Sequence, residues 1–283
     1  MRCAHERLGR RGFLGLLGVG LAVAACGRPP SPDTPAPNGT PAAQPPGQAS
    51  GAPDLVPGKR PPAPVAGPHG SMTVHGGPPE SVAARKIALT VDDGFCEHCV
   101  GAYAEFVRRS GVHLTFSPNG LYAHAWEPHA AVLRPLIDEH QIQIMNHTFN
   151  HPRLTKLPAG TVRSELERNE AWIHRTFGTS TRPYYRPPYG VHNARVDEVA
   201  ADQGYTRVVL WDGSYSDSEL ITPQFLLGQA RKYLTPGVIM LGHANHPTVL
   251  GLFDQIMELI KERELTPVTL DELFNTHRPG RVT

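Results

Sequence analysis

Ile87-Ala88-Leu89-Thr90-Val91-Asp92-Asp93-Gly94 decides how this chain is read. An unbroken run of apolar and β-branched residues passes directly into two carboxylates and a glycine. Such a run, of strand length and bounded by a turn signal, fits a strand buried on both faces, as in a parallel sheet. Working outward, Val100–Arg109 has helical periodicity and His113–Ser117 is a second apolar run. The alternation continues. Strands are expected at Gln143–Asn146, Tyr184–Arg186, Arg207–Trp211, Val238–Gly242 and Pro267–Thr269, and helices at Ala130–Glu139, Thr161–Phe177, Ala194–Asp202, Pro223–Tyr233 and Leu252–Lys261. Alternating strands and helices predict an α/β fold with parallel strands and helical crossovers. A small, irregular (β/α) barrel and an open doubly wound sheet both satisfy the pattern, and both bind ligands at the C-terminal strand ends.

Upstream of Ser81 the composition differs. Residues 27–80 hold 16 of the 29 prolines and 9 of the 28 glycines, with no Phe, Tyr or Trp. Such a segment cannot bury enough apolar surface to offset its ordering entropy, so residues 26–80 read as a disordered tether. Before it, a basic start to Arg11 leads into an apolar run from Phe13 to Ala25. That run is too short to span a bilayer and reads, as residues 1–25, as an export signal. Val23-Ala24-Ala25-Cys26 resembles the bacterial lipobox, in which the cysteine is lipidated and becomes the new N-terminus. Arg10-Arg11-Gly12-Phe13-Leu14 is a weaker match to a twin-arginine signal. The expectation is a lipoprotein on the outer face of the bacterial cytoplasmic membrane, anchored through Cys26. Without the first 25 residues, 23 basic groups face 25 acidic ones, a net charge near −2 that excludes an electrostatic nucleic-acid binder.

The chemistry-bearing residues fall at strand ends. Asp92 and Asp93 are adjacent, so one carboxylate can bind a cation while the other stays free as a base; the bland alternative is a turn. Asn146-His147-Thr148-Phe149-Asn150-His151 places two histidines four residues apart. They can converge on one metal if the chain turns, as Pro152 favours. Two imidazoles and one carboxylate leave open coordination positions, which a catalytic zinc site requires. Arg186-Pro187-Pro188-Tyr189-Gly190 is a stiff loop whose Arg186 can hold a carboxylate ionised and whose Tyr189 backbone N–H can face a developing oxyanion. Leu241-Gly242-His243 ends an apolar strand in a candidate general acid or base.

These segments, in this order, resemble the motifs of the NodB-homology polysaccharide deacetylases, metal-dependent carbohydrate esterases, over roughly Lys86 to Phe274. The resemblance implies that residues 81–283 form a catalytic domain with a distorted (β/α)7 barrel. It implies Asp92 as general base, Asp93, His147 and His151 as ligands of one divalent ion (zinc first, cobalt or another as alternatives), and His243 as the acid. Pro188, Leu241 and Trp211 are expected to line the substrate site. The family's D-x-x-D-W motif is degraded: Asp217 matches its second Asp and would orient His243, Ser214 replaces the first Asp, and Ser218 replaces the Trp. Ala244 stands where many relatives carry Asp. The implied reaction is removal of N-acetyl groups from an amino-sugar polymer of the cell envelope, peptidoglycan or chitin-like, by a monomer. O-acetyl ester or cyclic imide hydrolysis on the same residues is the alternative, and a non-catalytic wall-binding lipoprotein is a third reading. Cys96 and Cys99, just after the Asp-Asp-Gly turn, are expected to form a local disulfide in an oxidising compartment, with a redox-active pair as the alternative.

Overall fold

The computed structural model describes residues 71–276; the expected export signal, Cys26 and the part of the expected tether up to residue 70 lie outside the described residues. Among the described residues nine strands follow in chain order: β1 Met72–Val74, β2 Lys86–Asp93, β3 Leu114–Pro118, β4 Ile142–Ile144, β5 Tyr184–Tyr185, β6 Arg207–Val209, β7 Gly213–Ser214, β8 Ile239–His243 and β9 Thr266–Val268. The helices are α1 Pro79–Ala83, α2 Glu97–Ser110, α3 Ala123–Trp126, α4 Ala130–Asp138, α5 Ala159–Phe177, α6 Ala194–Ala201, α7 Pro223–Tyr233, α8 Phe253–Glu262 and α9 Leu270–Leu273. Every strand pairing is parallel.

One sheet runs β4-β3-β2-β8-β7, with β9 also on β2, and a second runs β1-β6-β5. They join where Asn146, just past β4, bridges Tyr185 in parallel. The Asn146 N–H donates to Tyr184 and the Arg186 N–H donates back to Asn146. A second, antiparallel bridge links Gly76 to Val238. The result is the irregular (β/α)7 barrel, not the open sheet. β2 is its centre, buried from Ile87 through Asp92 as its unbroken apolar sequence requires. The core around it packs Val91, Phe116, Ile144 and Met240 against Val100, Val107 and Leu226 of the surrounding helices.

The helices end where their sequences stop them. Gly111 and Gly178 take left-handed caps after α2 and α5, and Asn193 and Thr222 cap the starts of α6 and α7 with side-chain oxygens.

Strand β1, at Met72–Val74, lies upstream of the expected Ser81 boundary. Met72–Val74 pairs with Arg207–Val209, and Ser81 on α1 bonds the Leu273 carbonyl. Three strand residues in a proline- and glycine-rich background leave no compositional trace; only the edge of β6 makes them a strand. The strand expected to reach Trp211 ends at Val209, and a two-residue β7 follows beside β8.

Candidate active site

The parallel ladder brings the C-terminal ends of β2, β4, β5 and β8 to one face. Asp92 lies in register with Ser117 on β3 and His243 on β8. The residue is 3% exposed. Oδ1 accepts from Arg186 Nη1 at 2.7 Å and from the Ser117 hydroxyl, while Oδ2 lies 3.6 Å from His147 Nε2. Burial alone would raise its pKa, but Arg186, His147, His243 and Ser117 outweigh burial and hold it below the ordinary carboxylate value.

Arg186 is fully buried, and its guanidinium is spent on fixed partners. Nε donates to Val209 at 3.1 Å, Nη1 also to Thr90 Oγ1 at 2.9 Å, and Nη2 to Leu210 at 3.2 Å. A buried cation with those partners has one carboxylate to neutralise it, Asp92, which is why the pair is held rigidly.

Asp93 adopts a left-handed backbone, φ 64°, and its carboxylate reaches the same His147 imidazole that Asp92 Oδ2 approaches. Its Oδ1 is 3.5 Å from both His147 Nε2 and His151 Nε2. That oxygen is buried and has no hydrogen-bond partner. One ligand atom from each of Asp93, His147 and His151 lies within 4.8 Å of the others. His147 Nδ1 sits 2.7 Å from the Arg186 carbonyl; a carbonyl only accepts, so Nδ1 carries the proton and Nε2 presents its lone pair to the site. Burial and the neighbouring His147 and His243 pull the His151 pKa down to about 4, against the opposing pull of Asp93 and Asp92. A neutral imidazole is the form that ligates metal. An orphaned buried carboxylate oxygen facing two imidazole nitrogens fits a divalent cation.

The loop carrying the histidines is pinned from behind by residues that sequence reading passed over. Asn119 donates to the carbonyls of His147 and Thr148 at 2.6 and 2.9 Å. Asn146 accepts from the Thr148 N–H, and Glu165 from the Asn150 N–H and amide. Thr148 and His151 both sit at positive φ, 67° and 54°. This turn is what lets two histidines four residues apart converge without a helix.

His243 lies opposite. Its Nδ1 is 2.9 Å from Asp217 Oδ1, and its backbone N–H donates to Asp217 Oδ2 at 3.1 Å. Burial would lower its pKa, but the Asp217 bond and the charges of Asp92, Asp217 and Asp93 raise it above the usual histidine value. Both Asp217 carboxylate oxygens are thus engaged by His243, beside Ser214 and Ser218. Ser214 caps the Ser216 N–H, and Ser218 is exposed.

Tyr189, at φ 61°, is exposed with its ring edge-on to His151 at 4.6 Å. The three residues expected to line the substrate site are set deeper. Pro188 and Leu241 are buried, and Trp211 is half-buried beneath Arg186, 5.6 Å from its guanidinium. The exposed aromatic rim includes Phe95, edge-on to Tyr122 at 5.8 Å and His246 at 5.5 Å. Cys96 and Cys99 are joined in a disulfide at the start of α2, directly beyond Phe95.

Fold and site together define a parallel barrel with a two-histidine, one-carboxylate centre at its C-terminal face. Residues 80–208 match the polysaccharide deacetylase family model. Over 201 residues it is 27% identical to the peptidoglycan-N-acetylglucosamine deacetylase PgdA of Listeria monocytogenes, covering 69% of this chain and 40% of that protein. The chain therefore spans well under half the length of that relative. Its fold is like that of a family 4 carbohydrate esterase from Streptomyces lividans, solved in complex with acetate (TM-score 0.57, 26% identity, 64% of this chain and 91% of the other). It is also like that of a family 4 pseudoenzyme from Bacillus anthracis (TM-score 0.62, 20% identity, 71% and 68% covered), a likeness of fold alone.

Proposed function

We propose that this domain hydrolyses N-acetyl groups of an amino-sugar polymer, with peptidoglycan as the substrate and the outer face of the cytoplasmic membrane as its place of work. Because one fold houses both esterases and a pseudoenzyme, the proposal rests on the site. The observation that carries it is the convergence of Asp92, held ionised by Arg186, with the Asp93–His147–His151 triad and the Asp217–His243 pair.

A divalent cation held by Asp93, His147 and His151, zinc or another such as cobalt, would polarise the acetyl carbonyl and the attacking water. Asp92 Oδ1 is occupied by Arg186 and Ser117, so Oδ2 is the oxygen that takes the water's proton. The Tyr189 backbone N–H would donate to the developing oxyanion. His243 Nδ1 is engaged by Asp217, so Nε2 delivers the proton to the leaving nitrogen as the C–N bond breaks. Acetate keeps the water oxygen, and the glycan keeps a free amine.

The name of the Listeria relative and the export features of residues 1–26 both point to peptidoglycan. The test is acetate release from peptidoglycan fragments, chitin oligomers and acetyl-xylan by the wild-type and Asp92→Asn proteins. Release from peptidoglycan that is lost in the variant is the expected result. Release from acetyl-xylan alone would make the protein an O-acetyl esterase, and release from none would overturn the hydrolase reading.

A further inference from the structure

We propose that Asn245 is a positioning residue for the metal ligand Asp93, aiming one carboxylate oxygen into the site by holding the other. The inference rests on the reading of Asp93, His147 and His151 as a metal triad.

β2 and β8 remain hydrogen-bonded past their ends: the Ala244 N–H donates to Asp92 at 3.1 Å, and the Cys96 N–H donates to Ala244 at 3.4 Å. β8 ends at His243 and the chain bends over residues 244–246, with Asn245 two residues past His243. His243 reaches the catalytic face beside Asp92, and Asn245 reaches the neighbouring Asp93. Asn245 is 5% exposed, and both ends of its amide are used. Nδ2 donates to Asp93 Oδ2 at 2.9 Å, while Oδ1 accepts from the Gly94 N–H at 3.1 Å. The assignment of Asn245's oxygen and nitrogen follows from these partners, because the Gly94 N–H can only donate and an ionised carboxylate can only accept.

The consequence is an asymmetric carboxylate. Asp93 Oδ2 is tied to Asn245, and Oδ1 is left buried, without a hydrogen bond, 3.5 Å from each histidine Nε2. A free carboxylate at a left-handed turn has rotamers that would point both oxygens elsewhere. Trp126, whose Nε1 donates to the Asp93 carbonyl at 2.9 Å, holds the backbone but not the side chain. Among the described residues, Asn245 makes the one side-chain hydrogen bond to the Asp93 carboxylate. Partners of this kind raise metal affinity by fixing the ligand before the ion arrives.

The test uses metal-free full-length protein and two probes. Zn2+ affinity is measured by competition with a chromophoric chelator, and Co2+ coordination by its visible spectrum. Asn245→Ala removes both amide contacts; its Zn2+ affinity is expected to fall about 10- to 100-fold. Asn245→Asp keeps an acceptor for the Gly94 N–H, so the loop keeps its tether, but it replaces the donor facing Asp93 with an acceptor. Its Co2+ spectrum is expected to differ from wild type. Wild-type Co2+ spectrum in Asn245→Asp would overturn the positioning role, even if Asn245→Ala proves unable to fold. If wild-type protein binds neither ion, or Asp93→Ala binds both as tightly as wild type, the metal triad itself is wrong and the inference falls with it.

Discussion

Asp92 and Asp93 are neighbours with opposite assignments. Asp92 Oδ1 is committed to Arg186 with Oδ2 beside His147, whereas Asp93, at positive φ, sets its Oδ1 between His147 and His151. Asp93→Asn is expected to lose bound metal and activity together, since an amide is a poorer ligand. Asp92→Asn is expected to keep its metal but lose about 100- to 10,000-fold in turnover, because an amide cannot take the water's proton. Metal content and acetate release on the same preparations decide, and a reversed pattern would reverse the roles. The pH profile follows from the two shifted groups. Activity needs Asp92 ionised, which its lowered pKa secures down to below the ordinary carboxylate range. It needs His243 protonated, so it falls as pH rises through that residue's raised pKa. Asp217→Asn removes the main influence opposing burial at His243, so the alkaline limb of kcat is expected to move to lower pH. An unmoved limb would mean that another group titrates there.

At the scale of elements, the unit that builds the site is β2, its turn and the start of α2. Gly94 sits at φ 88°, and a Cβ there would lie 2.4 Å from Trp126 Nε1, on a ring that is fully buried. Gly94→Ala is therefore expected to destabilise the metal-free protein by at least about 2 kcal/mol, combining left-handed strain with overpacking against a rigid indole. Thermal unfolding of the metal-free form measures it, and an unchanged Tm would contradict the packing described. The Cys96–Cys99 disulfide closes only a short loop, so in a chain-entropy account its removal by Cys96→Ser with Cys99→Ser costs about 2 kcal/mol or less. Its more direct check is mass spectrometry of the protein under non-reducing conditions, in which free thiols at both Cys96 and Cys99 would exclude the bond. The second site element, the turn from Asn146 to His151, borrows its shape from elsewhere: Asn119 comes from the end of β3, and Glu165 from α5.

For the whole molecule, the difference between the Ser81 boundary and the β1 strand has a measurable outcome. A chain starting at Ser71 keeps β1 against β6 and the α1 contact to Leu273. It is expected to unfold near the full-length Tm and to deacetylate soluble glycan fragments. A chain starting at Ser81 loses β1 and the first residues of α1 and is expected to melt several degrees lower. Equal melting of the two would mean that β1 contributes nothing. Cys26→Ser in the full chain is expected to shift the protein from the membrane fraction to the soluble fraction or to leave it unprocessed. Unchanged detergent partitioning would remove the anchor from the proposal.

What the sequence determined by itself was local and periodic. The strand-helix alternation predicted the parallel α/β architecture, because a strand buried on both faces and an amphipathic helix each carry their pattern within about ten residues. The positions of Asp92, Asp93, His147, His151, Arg186 and His243 at strand ends were legible for the same reason, since a parallel barrel gathers those ends on one face. Asp217 was placed despite the altered residues around it. What only the tertiary structure decided depends on approach between distant segments. The choice of barrel over open sheet rests on the Asn146–Tyr185 bridge, and β1 exists because β6 offers an edge. The supports from Ser117, Asn119, Glu165 and Asn245 are ordinary polar residues whose spacing carries no pattern. Their hydrogen bonds join residues up to 152 positions apart, as between Asn245 and Asp93. Periodicity reports the face a residue occupies; only the folded barrel places the amide of Asn245 on the carboxylate of Asp93.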